Sequence, residues 1–88
     1  MPKMIATHAV VDVDRWLAGK TERVAAIGRY ATNVTDYVAA DGSNHIAITA
    51  DIHDMEGIQA LMASPSHEDI ALQEEHGVTQ PTTAYVER

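Results

Sequence analysis

An α+β fold, its elements in the order β-α-β-β-α-β and both helices on one side of a four-stranded antiparallel sheet, is what this sequence predicts, and three observations predict it. Residues His45 to Ile52 alternate strictly between apolar and mixed positions, the mark of a strand with one buried face. The turn formers Asp41-Gly42-Ser43-Asn44 separate that run from a second β-rich run, Asn33 to Ala40, and so make a hairpin. Segments at helical spacing lie on either side of the hairpin, and runs of β formers open and close the chain.

The first strand is read from Met4 to Val11, a run of small, β-branched and apolar residues that ends where Asp12 and Asp14 can cap a helix. In that helix Val13, Trp16, Leu17, Val24 and Ile27 fall near one face, while Arg15, Lys20, Glu22 and Arg23 fall mostly elsewhere; Gly28 is the expected stop. In the third strand Ile46, Ile48, Ala50 and Ile52 share one face and His45, Ala47, Thr49 and Asp51 the other. Asp54 caps the next helix, whose apolar positions are Met55, Ile58, Leu61 and Met62. That second helix is broken at Ser64-Pro65 and resumes from about Pro65 to His76, with Ser66 and Asp69 spaced as a capping box and Gly77 as its stop. Pro81 precedes the last strand, Thr82 to Val86. No repeat or linker interrupts the chain, so residues 1–88 are expected to form a single ferredoxin-like domain.

Composition narrows the function. Six Lys and Arg against thirteen Asp and Glu give a formal charge of −7 with no basic run, which disfavours a nucleic-acid partner. The absence of cysteine removes disulfides, zinc-thiolate sites and thiol catalysis. Neither a signal peptide nor a bilayer-spanning stretch is visible, so a soluble, cytoplasmic protein without a membrane partner is expected. At 88 residues the core is small for the entropy it must offset, which makes a homodimer a physical expectation.

The helix side of the sheet takes the Ile46, Ile48, Ile52 stripe. The opposite face is assigned His45, Ala47, Thr49 and Asp51, together with Thr35, Tyr37 and Tyr85, and from the first strand Met4, Ala6, His8 and Val10; Val34 and Val38 suit the helix side. Such a face, part apolar and part polar with small residues leaving room, is expected to pair with a second copy and enclose a pocket.

The stretch from His45 to Glu56, then Ala63-Ser64-Pro65-Ser66-His67, then Glu75-His76-Gly77-Val78, resembles the strand, helix start, broken second helix and glycine stop of the dimeric α/β-barrel superfamily. Antibiotic-biosynthesis-monooxygenase-like, polyketide-cyclase-like and muconolactone-isomerase-like small proteins are among its members. The resemblance is one of layout over nearly the whole chain. It implies the ferredoxin-like fold and a homodimer, and it selects no branch, because fold does not fix chemistry. The Asn, Trp and His set of haem-degrading relatives is not found at matching positions.

His8 and His45, on strands that neighbour each other in this fold, are the candidate catalytic residues, since imidazole titrates near neutral pH; the alternative is a pair of hydrogen-bonded interface histidines. Tyr37, Thr49, Asp51 and Tyr85 are the candidate ligand-binding residues, with phenol groups that donate to a substrate oxygen or stack on a ring. Asp51, His53 and His45 are too scattered for a metal site, and none is expected. Trp16, Met55 and Met62 read as core, and His67 and His76 as solvent-facing residues flanking the last short helix. The expected function is a cavity-forming homodimer that binds a small, largely apolar organic molecule and acts on it without a cofactor, by monooxygenation, cyclisation or isomerisation. Two alternatives stand beside it: a non-catalytic ligand-binding or stress-related module of the same fold, and a tautomerase that uses Pro2 as its base after loss of Met1.

Overall fold

The start and stop signals of the sequence are used almost one by one in the computed structural model, which describes residues 2–87. The chain runs β1 (Lys3–Val10), α1 (Val13–Ala18), α2 (Lys20–Ile27), β2 (Ala31–Val38), β3 (His45–Ile52), α3 (Met55–Ala63), α4 (His67–Glu75) and β4 (Val78–Val86). The strands pair antiparallel in the order β2-β3-β1-β4, with the helices on one face. Asp12 accepts from the amides of Asp14 and Arg15 at 2.9 and 3.3 Å, and Asp54 from that of Gly57 at 2.9 Å. Ser66 and Asp69 form the full capping box. Such caps satisfy amides that a helix leaves unpaired, each worth about 1 kcal/mol. Gly77, at φ +74°, ends α4. Arg15 also closes that end, donating from Nε to the Glu75 carbonyl at 2.7 Å and from Nη2 to that of Glu74 at 2.9 Å.

Register fixes the faces, and it corrects one of them. Met4 stands opposite Ala50, Ala6 opposite Ile48 and His8 opposite Ile46. Met4, Ala6, His8 and Val10 therefore lie on the helix side with the β3 stripe, not on the open face. Both faces of β1 are mixed in composition, so alternation alone offered no way to choose between them. Thr35 opposes Thr49, Tyr37 opposes Ala47, and Tyr85 opposes Ile5, which leaves these on the open face as expected. Two clusters make the core: Met4, Ala31, Ala50, Ile52 and Ile58, and separately Val10, Trp16 and Ile46.

Three further expectations change. The first helix is two, α1 and α2, meeting at Gly19, where a Cβ would fall 2.3 Å from Nε2 of His76. The inward stripe then runs through buried Trp16, Gly19 and Arg23 to partly buried Ile27, so Arg23 is 8 % exposed while Leu17 and Val24 are 39 % and 38 % exposed. β2 begins at Ala31, with a register irregularity between Thr32 and Thr35 and Asn33 at φ +54°. β4 begins at Val78 and carries Pro81 within it, at an irregular stretch of an edge strand where a missing N–H is tolerated.

Candidate functional site

Between the sheet and the helices lies a cavity of about 200 Å³. Met4, Ala6 and Ile48 form its floor, Ile27, Ile58 and Leu61 its walls, and Met62, 41 % exposed, stands at its rim instead of in the core. An apolar void of about 150 Å³ accepts benzene, so this one suits a ligand built around one aromatic ring or slightly more. His8, Trp16 and Arg23 also line it.

His8 reaches the cavity because β1 alternates and His8 shares parity with Met4 and Ala6. Its Nδ1 lies 2.9 Å from the carbonyl oxygen of Ala9. A carbonyl only accepts, so Nδ1 carries the hydrogen, and in the neutral ring Nε2 keeps the lone pair. Burial lowers the pKa of this imidazole below its ordinary value and the charge of Arg23 lowers it further, against the opposing pull of the Ala9 carbonyl. The ring packs edge-on to Trp16, with centroids 6.0 Å apart.

Behind Trp16 sits a buried polar cluster. The guanidinium of Arg23 lies 4.0 Å from the centroid of the Trp16 ring, donates through Nη1 to the Trp16 carbonyl, and through Nη2 pairs with Asp36 of β2 at 3.1 Å. Nη1 also lies 3.3 Å from Nδ1 of His76, which must accept because guanidinium has only donors. Burial pulls the Arg23 pKa down and Asp36 opposes the shift. His76 is 3 % exposed, contrary to the solvent-facing position expected of it, because the missing side chain at Gly19 makes room for its ring. Its Nε2 lies 3.7 Å from Oε2 of Glu22.

The histidines predicted as catalytic are not brought together: His8 lines the cavity, while His45 is exposed at the start of β3 on the other face, opposite Ala9. Tyr37 and Tyr85, 50 % and 57 % exposed, stand on that open face. So do the side chains of Thr49 and Asp51 by alternation, although Thr49 also borders the cavity from within the sheet. The Asp51 carboxylate accepts from Asn33 at 2.8 Å and faces Lys3 at 3.4 Å; these partners hold its pKa below the usual carboxylate range, Asn33 contributing most. His53 lies beyond the end of β3, its amide bound to the Tyr30 carbonyl at 2.9 Å. Among the described residues, no three metal-ligating side chains converge. Pro2 is exposed and does not line the cavity, and Met1, whose removal a proline base requires, lies outside the described residues.

Sequence reasoning missed Arg23, Asp36 and His76 as buried residues. A signal was present: Arg23 is seven residues from Trp16, hence on its face, and Asp36 shares parity with Val34 and Val38 on the helix side of β2. Two opposite charges at positions that periodicity assigns to the interior describe a buried pair.

No protein-family model matches the chain, and no curated protein matches it in sequence. Solved structures do match. An antibiotic biosynthesis monooxygenase superimposes with a TM-score of 0.68 at 15 % identity, over 100 % of this chain and 97 % of that one. SnoaB, a cofactor-independent oxygenase from Streptomyces nogalater, gives 0.70 at 13 % identity over 99 % and 92 %. A conserved protein from Methanosarcina mazei Go1 gives 0.68 at 12 % over 99 % and 90 %. At such identities the likeness concerns the path of the backbone, and with it the chain is shown to have the ferredoxin-like fold of antibiotic-biosynthesis-monooxygenase-like proteins, with no branch singled out.

Proposed function

We propose that the chain forms a homodimer whose helix-side cavity binds a small, largely apolar organic molecule, and that His8 takes a proton from that molecule as the first step of a cofactor-independent monooxygenation. The observation that carries the reading is a neutral imidazole on the wall of an apolar cavity, its Nδ1 tied to the Ala9 carbonyl and its Nε2 left as the base. SnoaB, a cofactor-independent oxygenase of the same fold, supports the reaction class. Loss of a proton from an activated CH2 leaves a carbanion that reduces dioxygen; the carbon becomes a carbonyl with one oxygen atom, and the other leaves as water. The expected site has thus moved from the face between subunits to the space between sheet and helices. His45, Tyr37, Asp51 and Tyr85 become candidates for the dimer contact.

The test has two parts. The neutral fluorophore N-phenyl-1-naphthylamine should bind the protein and be displaced by small aromatic compounds. Oxygen uptake with aryl ketones that carry a benzylic CH2 should then fall about 10²- to 10⁴-fold in His8→Gln, with fluorophore binding retained. No fluorophore binding would sink the cavity reading, and unchanged turnover in His8→Gln would remove His8 as the base. Binding without turnover of any bound compound would favour the non-catalytic module.

A further inference from the structure

The hold of α4 on the body of the protein is weak and one-sided. Among the described residues α1, α2 and α3 each bury a side chain, Trp16, Arg23 and Ile58, whereas α4 buries none. Its sequence gives the reason. The apolar residues Ile70, Ala71 and Leu72 are consecutive, so they point around the helix instead of along one face, and Ile70 is left 42 % exposed. A helix in a folded protein is held mainly by such a face.

The ties that α4 does have gather at its C-terminal end. Among the described residues, hydrogen bonds join it to other elements only from Gln73 onward: Gln80 of β4 donates to the Gln73 side chain at 3.0 Å, and Arg15 holds the carbonyls of Glu74 and Glu75. His76 follows, buried against Gly19. At the other end the Ser66–Asp69 capping box closes the helix on itself and joins it to nothing else. Asp69, Leu72 and Gln73, three and four positions apart, nevertheless lie over the cavity and line it.

The loose end of α4 also lies at the edge of the cavity. Ala26, Leu61 and Asp69 line both the cavity and an outer groove between α2, α3 and the start of α4, a groove kept wide by the small residues Ala25, Gly57, Ala60 and Ser64. Met62, at the rim, stands two residues before the break at Ser64-Pro65 from which α4 starts. Resting on the reading of the cavity as a ligand site, we infer that α4 is its gate. The helix pivots about its fastened end, Gln73 to His76, and its first turns swing outward, so that a small apolar molecule passes from the outer groove between Ala26, Leu61 and Asp69 into the cavity.

The test uses the absence of native cysteine. Ala25 and Glu68 are exposed on opposite sides of the groove, and neither lines the cavity. In Ala25→Cys/Glu68→Cys the pair is closed with the shortest bismaleimide that joins it within one chain, and exchange of N-phenyl-1-naphthylamine is followed by stopped-flow fluorescence. The bridge should slow entry and exit alike, by about 10-fold or more, and leave Kd within about twofold. The same variant capped with N-ethylmaleimide should exchange the fluorophore at the wild-type rate. In the unbridged protein the amides of α4 should exchange hydrogen at least about 10²-fold faster than those of β1 and β3. Rates indifferent to the bridge overturn the inference, as do rates slowed equally by the caps, or α4 amides protected as well as the sheet. If the fluorophore binds and any of these is seen, the gate alone is refuted; if it does not bind the wild type, the cavity reading fails with it.

Discussion

His8 combines burial, a carbonyl partner on Nδ1 and a nearby guanidinium, and each has a consequence for pH. Burial is the largest influence and depresses the folded-state pKa below the ordinary imidazole value. The unfolded chain then holds the His8 proton more tightly than the folded one. Above pH ~6.5 both states are neutral and stability is unaffected; between that pH and the lower folded value, stability falls as pH falls. Urea denaturation at a series of pH values should show this slope in the wild type and a shallower one in His8→Gln, and an identical slope would assign the effect to another group. Base catalysis by His8 should for the same reason persist somewhat below pH 6.5. At this scale the sequence was legible where one residue type has one ordinary fate, as for Trp16 in the core. It was less legible for His8, whose strand face depended on a register set by β3 and β4, and it misled for Arg23 and His76, whose burial rests on each other.

Among the elements, Gly19 ties together three pieces that lie far apart in the chain. It breaks the first helical segment, brings α1 and α2 into line for the Trp16–Arg23 stack, and admits the His76 ring from the end of α4. A methyl group at Gly19 would meet three atoms of that ring within 2.5 Å. Gly19→Ala should therefore destabilise by about 1–3 kcal/mol, the range for overpacking, even though alanine is the better helix former. In the double variant Gly19→Ala/His76→Ala the cost should be well below the sum of the single costs, measured by chemical denaturation; simple additivity would show that the two positions do not meet. Helix caps, the hairpin turn and the break at Ser64-Pro65 were legible because each is a local device, written in a few adjacent residues. The break at Gly19 was not, since the partner that requires it is 57 positions further along the chain. Strand limits at Ala31 and Val78 slipped for a related reason: irregular pairing let strands begin earlier than their β-rich cores.

For the whole molecule, the open side of the sheet presents apolar and aromatic side chains to solvent, with Ile5, Tyr37 and Tyr85 at 38, 50 and 57 % exposure. Pairing with a second copy through this face is the proposed assembly. Sedimentation should give a dimer, and Ile5→Lys, opposite Tyr85 on the same face, should give a monomer. Each kcal/mol lost with the partner lowers Tm by about 4–8 °C for a chain of this size. The cavity lies on the other side, so fluorophore binding should survive in that monomer at a temperature where it is folded, and a wild type that sediments as a monomer would end the proposal. β1 makes this separation possible: its even-numbered residues from Met4 to Val10 look toward the helices, Met4, Ala6 and His8 lining the cavity, and its odd-numbered residues Ile5, Thr7 and Ala9 look outward. Selection can thus act on what the protein holds and on what it joins through alternate codons of one short stretch. Point changes leave the two records separate, whereas the gain or loss of a single residue there would exchange them.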